Sequence, residues 1–253
     1  MESAHPSQPP APSPGQAVAE GQRFDKDYAY GAYTPEYYNG LLHHQKSRSH
    51  LWRLKYVERT IQPKPGDRIV DLGCGAGLVD YYLLSKGATV HGVDLADEGI
   101  NAARKINAEF GDRATFKVGD ASKNDDQPSG SFDKAVCVDV IEHCGADVML
   151  DIFKEAHRLL KPGGPFFVYT PNPRHWIERL KDWGVLTQDK THTGLRVAAP
   201  IKAALEQAGF EVVKDFRPPS MIPVFNWFEK AWSFIPWAGT IGVYRVAMLA
   251  KKK

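Results

Sequence analysis

Nine residues, Ile69-Val-Asp-Leu-Gly-Cys-Gly-Ala-Gly77, constrain the fold of this chain more than any other stretch. Ile69 and Val70 read as a buried strand, with Asp71 at its carboxyl end. Gly73, Gly75 and Gly77 then make a turn that no side chain obstructs, and residues 78–84 read as the start of a helix. A glycine turn between strand and helix lets backbone N–H groups approach a ligand at the helix N-terminus. In a doubly wound sheet that is where nucleotide-like ligands bind. The order acid, Leu, Gly-x-Gly-x-Gly narrows the ligand further. A pyrophosphate is repelled by a carboxylate in the turn, whereas a ligand carrying positive charge is not.

Around this stretch the pattern alternates. Strands are expected at 68–72, 89–94, 114–119, 132–138, 165–170, 210–216 and 242–250. Helices are expected at 78–85, at 99–110 with Asp97 as N-cap, at 148–160, and at 200–208, where Gly209 ends the last one. Alternating strands and helices imply a Rossmann-like, doubly wound α/β fold with a mostly parallel sheet. Residues 1–22 are Pro, Ala, Ser and Gln, which bury too little to order themselves. Residues 23–62 form a cap region. Tyr28, Tyr30, Tyr33, Tyr37 and Tyr38 crowd its first half, and Leu51, Leu54, Val57 and Ile61 recur at helical spacing in its second. The α/β domain then occupies residues 63–253, with an aromatic insert near 220–238.

A 43% hydrophobic content can fill one core, and a formal charge of +2 gives no argument for nucleic acid. Cys74, Cys137 and Cys144 are an odd set without paired spacing, which favours a reducing compartment. With no basic-then-apolar leader pattern at the N-terminus, a cytoplasmic location is expected.

Val70-Asp-Leu-Gly-Cys-Gly-Ala-Gly77 resembles the first motif of class I S-adenosylmethionine-dependent methyltransferases, and the likeness runs from about Arg53 to the C-terminus. Within that class the chain is most similar to the ubiquinone-biosynthesis O-methyltransferases. The resemblance implies a seven-stranded sheet whose last strand runs antiparallel, a helical N-terminal cap, and S-adenosylmethionine as cofactor. It places Arg53 at the cofactor's carboxylate, although an arginine on a solvated helix face is an equal reading. It places Asp71 by the cofactor's ammonium and Asp120 at the adenine amino group, where the alternative is a turn-forming Asp. Asp94 ends the second strand, where a carboxylate can accept both ribose hydroxyls; helix capping is the plainer alternative. Leu95, Ala121 and Val138, beside these acids and at the end of the fourth strand, join the candidate cofactor set.

Asp139-x-x-Glu142-His143 follows the fourth strand. On a helix these residues would share one face, where two carboxylates and an imidazole can hold a divalent metal such as Mg²⁺ or Zn²⁺. In the ubiquinone-pathway relatives an acid-x-x-Glu-His is associated with metal-assisted methylation of a catechol, with Glu where Asp139 stands here. His143 could instead be a general base, or Glu142 and His143 could only brace the loop. His192, in a Thr-His segment similar to one in the family, is a second candidate base, and a solvent-facing loop histidine is its bland alternative.

Trp227, Phe228, Trp232, Phe234 and Trp237 crowd the insert, with a helix expected at 224–234. Such stripes form core or substrate wall first, a homodimer contact second, and contact with a membrane surface third. The expected function is methyl transfer to a small, aromatic or lipid-like acceptor, at a hydroxyl. An N-methyltransferase and a non-catalytic cofactor binder are the alternatives. A nicotinamide oxidoreductase is disfavoured by Asp71 and by the missing Tyr-x-x-x-Lys pair after the fourth strand.

Overall fold

Ile69 and Val70 point to opposite faces of one strand, and both are fully buried. The sheet they belong to is therefore covered on both sides. The computed structural model describes residues 47–186, 192, 194–219 and 243–253. In chain order the elements are α1 (Arg48–Ile61), β1 (Arg68–Leu72), α2 (Leu78–Ser85), β2 (Thr89–Asp94), α3 (Asp97–Ile106), β3 (Ala114–Val118), β4 (Lys134–Val138), α4 (Ala146–Leu159), β5 (Pro165–Pro171), α5 (Trp176–Asp182), α6 (Ala198–Gln207), β6 (Phe210–Phe216) and β7 (Arg245–Lys252).

The seven strands run in the order β3-β2-β1-β4-β5-β7-β6. β1 pairs in parallel with both β2 and β4, while β7 is antiparallel to β5 and to β6, as the family likeness implies. On one face Ile69 packs with Val57 and Ile61 of α1 and with Val79, Leu83 and Leu84 of α2. On the other, Val70 packs with Phe153 of α4 and with Ile201 and Leu205 of α6. The strand order reverses between β1 and β4, so a crevice opens beyond their carboxyl ends. No helix among the described residues is long and apolar enough to cross a membrane.

The alternation read from the sequence matches the elements closely, with instructive departures. Ala96, not Asp97, is the N-cap of α3; its N–H donates to Asp94 Oδ1 at 2.9 Å, and Asp97 lies inside the first turn. β4 starts at Lys134 because Phe132 makes only an isolated bridge to Leu160. The short helix α5 was not expected. Ser47 caps α1 by accepting from the His50 N–H, and Gln62 ends it in a left-handed conformation before Pro63. Of the four apolar residues at helical spacing in α1, Val57 and Ile61 are buried while Leu51 is 54% exposed. The tail, the five tyrosines, the expected helix at 224–234 and the aromatic insert lie outside the described residues.

Candidate active site

The crevice holds a cavity of about 1010 Å³. Its floor is the glycine turn. Gly73 and Cys74 donate their N–H groups to Val93 O at 2.8 and 3.0 Å, and Gly75 donates to Asp94 Oδ2 at 2.8 Å. The turn is thus tied to the end of the neighbouring strand. Gly73 has φ +89°, and a Cβ there would meet Val140 Cγ2 at 2.3 Å. A Cβ on Gly75 would meet nothing within 4 Å, because that position faces the cavity. Gly77 serves the turn and not the wall: it caps α2 in a left-handed conformation and lies against Asn107.

Asp71, Asp94, Leu95, Asp120, Ala121, Val138 and Arg53 all line this cavity with Gly73 and Gly75. Both Asp94 oxygens accept backbone N–H groups, one from the turn and one from Ala96. Each carboxylate oxygen accepts more than one hydrogen bond, so a hydroxyl pair can still be held there. Burial pushes the Asp94 carboxyl up, against the pull of these donors. Asp120 is exposed; its Oδ1 closes a turn by accepting from Ser122 N and Oγ at 2.8 and 2.7 Å.

Asp71 is 2% exposed, and burial pushes its carboxyl up to about 7. Its partner is Asp80 of α2, fully buried and also raised by burial and by Asp71. The floor fits a cofactor with a cationic end and a ribose: Asp71 Oδ1 is buried without a donor, and Gly75 leaves an open cradle.

The opposite wall differs from the expected geometry. β4 ends at Val138, Asp139 is left-handed at φ +55°, and only Ile141–His143 form a 3-10 turn. Asp139, Glu142 and His143 therefore do not share a helical face. Asp139 instead sits between two arginines, with Arg53 Nη2 at 2.6 Å from Oδ2 and Arg245 Nη1 at 2.9 Å from Oδ1. Burial alone would raise this carboxyl, but Arg53 and Arg245 hold it below the usual range. Arg53 is thus engaged with Asp139 at the cavity edge, which fits neither a freely solvated face nor an unpaired carboxylate clamp.

Among the described residues, the group that can hold a metal ion is Glu142, His143 and His192, whose ligand atoms lie within 4.8 Å of one another. The His143 and His192 rings are 5.0 Å apart. Glu142 Oε2 accepts from Thr170 Oγ1 at 2.9 Å, while Oε1 is buried without a donor. Burial, then the charge of Asp139, pushes the Glu142 carboxyl up to about 8. A proton or a cation at that oxygen satisfies it, so the donor set fits a divalent metal as well as a proton relay.

His192 arrives here because its segment is anchored to the β4 turn. Gly194 N donates to Glu142 O at 2.7 Å, and Arg196 donates to Ile141 O and Cys144 O at 2.8 and 2.7 Å. Arg196, Arg245, Thr170 and Asp80 escaped the sequence reading. Only Asp80 left a signal, as an acid within the apolar face formed by Val79, Leu83 and Leu84.

A family profile described as "Methyltransferase domain" matches residues 42–215. A ubiquinone biosynthesis O-methyltransferase of Xanthomonas axonopodis pv. citri (strain 306) is 35% identical over 120 residues, 47% of this chain and 49% of the relative. The chain spans about half the length of the curated relatives it matches. Among solved structures, the PH0226 protein from Pyrococcus horikoshii OT3 superposes with a TM-score of 0.62 at 20% identity, over 83% of this chain and 93% of that one. A geranyl diphosphate methyltransferase in complex with GPP and sinefungin gives 0.59 at 18% identity, over 79% and 77%. At these identities the two structures share the fold.

Proposed function

The chain belongs to the methyltransferase-domain family, and from that premise we propose that it catalyses S-adenosylmethionine-dependent methyl transfer to a hydroxyl of a small aromatic or lipid-like acceptor. The carrying observation is one cavity that joins the Gly73–Gly75 turn, Asp94 and Asp120 to Glu142, His143 and His192. When bound, S-adenosylmethionine would supply a methyl group on a sulfonium. Asp94 would hold the ribose hydroxyls, Asp120 the adenine edge and Asp71 the ammonium end, all from positions lining the cavity. Arg53, charge-paired with Asp139, would flank the cofactor's carboxylate from α1.

The chemistry left to the protein is positioning and removal of one proton. His143, with His192 beside it, accepts the proton from the acceptor hydroxyl. Burial, then the charge of Asp139, raises the Glu142 carboxyl, which favours its protonated form as a donor to an imidazole over competition for the proton. A second reading is favoured by the fit of Glu142, His143 and His192 to a cation: these three residues would hold Mg²⁺ or Zn²⁺, which lowers the pKa of a bound hydroxyl. Amines as acceptors, and cofactor binding without turnover, are further outcomes of the same test.

Calorimetric titration with S-adenosylhomocysteine and with NADH tests the cofactor, and S-adenosylhomocysteine is the ligand expected to bind. A methyl-transfer screen of phenols, catechols and amines, with and without EDTA, tests the rest. With His143 as base, EDTA leaves turnover intact and His143→Ala lowers it by about 10²–10⁴-fold, far more than Glu142→Gln does. With a metal, EDTA abolishes turnover, and the two substitutions are equally damaging. Near-normal transfer by His143→Ala rejects both roles.

A further inference from the structure

Asp120 sits in an exposed turn after β3, and an exposed turn does not by itself hold a carboxylate at a fixed angle. This turn is held from outside. Arg158, in the last turn of α4, donates from Nη2 to Asn124 O at 2.9 Å. From Nη1 it donates to Gln127 O at 2.9 Å and to Ser129 Oγ at 3.1 Å. Its Nε and Nη2 also meet the two oxygens of Glu155, at 2.8 and 2.7 Å. Glu155 Oε1 accepts the Asn124 N–H at 2.8 Å, so the pair grips both backbone groups of Asn124.

Asn124 is fully buried and passes the grip on. Its Nδ2 donates to Ala121 O at 3.2 Å, and Lys123 N donates to Asp120 O at 2.9 Å. At the other end Gly119 N donates to Asp94 O at 2.9 Å. Residues 120–124 are thus suspended between the end of β2 and α4. An acid and an arginine at i, i+3 on a solvated helix would be worth little as an ion pair. Here Glu155 is buried, and the pair is spent on one segment of backbone.

We propose that Arg158, with Glu155, is a positioning residue for recognition of the cofactor's base, acting through Asn124 and Ala121 on Asp120. This rests on the cofactor reading above. Asp120 Oδ1 is committed to Ser122, which leaves the second oxygen to accept from a base amino group. A hydrogen bond weakens steeply off its axis, so the clamp that fixes the turn also fixes what Asp120 can select.

The test is calorimetry with S-adenosylhomocysteine and with S-inosylhomocysteine, which carries an oxygen where adenine has its amino group. The native protein should favour the first by about 10–100-fold, the worth of a hydrogen bond to a charged group. Asp120→Ala should remove most of that preference. Arg158→Met, checked for a cooperative melt, should shrink it to within about threefold, by weakening S-adenosylhomocysteine and sparing S-inosylhomocysteine. A clamp that only stabilises the fold weakens both ligands equally, and an unchanged ratio in folded Arg158→Met overturns the inference. Where Arg158→Met does not fold, Asn124→Ala decides. It keeps the Glu155–Arg158 pair and cuts the link to Ala121 O, so the preference should narrow; an unchanged ratio overturns the inference again. Equal affinity of the native protein for the two ligands also overturns it, because Asp120 then reads no amino group. Failure of S-adenosylhomocysteine to bind overturns the cofactor reading itself, and the inference with it.

Discussion

The floor of the crevice is built mostly by backbone groups of two adjacent strand-to-helix turns, Gly73 to Gly77 after β1 and Asp94 to Ala96 after β2. The opposite wall is built by side chains gathered from α1, the β4 turn, the segment around His192 and the start of β7. Backbone groups on the floor meet at main-chain distances such as the 2.8 Å between Gly73 N and Val93 O. The wall depends on charges that must find one another across the chain, as Asp139 and Arg245 do. A backbone site fails by steric exclusion, whereas a charge-gathered site fails by losing a partner. The two regions should therefore respond to substitution in different ways.

The sharpest break is Gly73→Val. A side chain at φ +89° is strained, and its Cβ would meet Val140 at 2.3 Å. The expected outcome is loss of measurable S-adenosylhomocysteine binding and a stability loss of about 2–5 kcal/mol in urea melts. Next comes Asp94→Ala, which removes the acceptor of the Gly75 and Ala96 N–H groups and, on the proposed reading, of the ribose hydroxyls. Affinity should fall by about 2–4 kcal/mol by calorimetry; unchanged affinity would confine Asp94 to bracing Gly75 and Ala96.

On the wall, Asp139→Asn keeps the shape and tolerates the left-handed backbone but leaves Arg53 and Arg245 without their carboxylate. Stability should drop by about 1–3 kcal/mol, with adenosine affinity unchanged, since the floor is untouched. Because Asp139 lies below the usual carboxylate range when folded, its contribution is present at neutral pH and is lost as pH falls through that lowered value. The difference in melting temperature between the native protein and Asp139→Asn should therefore shrink in acid. The smallest effect belongs to Gly75→Ala. Its methyl meets nothing within 4 Å, so only the strain at φ +51° counts, about 1 kcal/mol in stability. Any loss of cofactor affinity beyond that would locate the ligand directly over this residue.

The same contrast explains what was legible in the sequence. The floor is local: spacing between an acid, three glycines and the next strand's terminal Asp94 is visible in one chain read in order. The apolar alternation placed β1, α2, β2 and β6 at the observed bounds. The wall was misjudged at Asp139 because spacing of i, i+3 and i+4 presupposes a helix. The chain makes a left-handed residue and a 3-10 turn instead, since the Asp139 N–H still pairs with Tyr169 O at the end of the sheet. Arg245 could not be paired with Asp139 from sequence, because their meeting depends on β7 lying next to β5. His192 was legible as a candidate only through likeness to a family segment, and its approach to His143 rests on Gly194 and Arg196, which carry no motif.

The anchor of that segment has a consequence for how this wall of the crevice can change. Gly194 N and Arg196 grip carbonyls of Glu142, Ile141 and Cys144, and a Cβ on Gly194 would meet Cys144 O at 2.2 Å. Every group gripped is main chain, so the socket reads peptide bonds and is blind to the side chains they carry. The strip bearing His192 is in that respect an interchangeable part. Its side chains can drift while its docking, and the glycine floor beyond it, stay in register. Among the described residues, the two fasteners, a glycine and an arginine, are withheld from that drift.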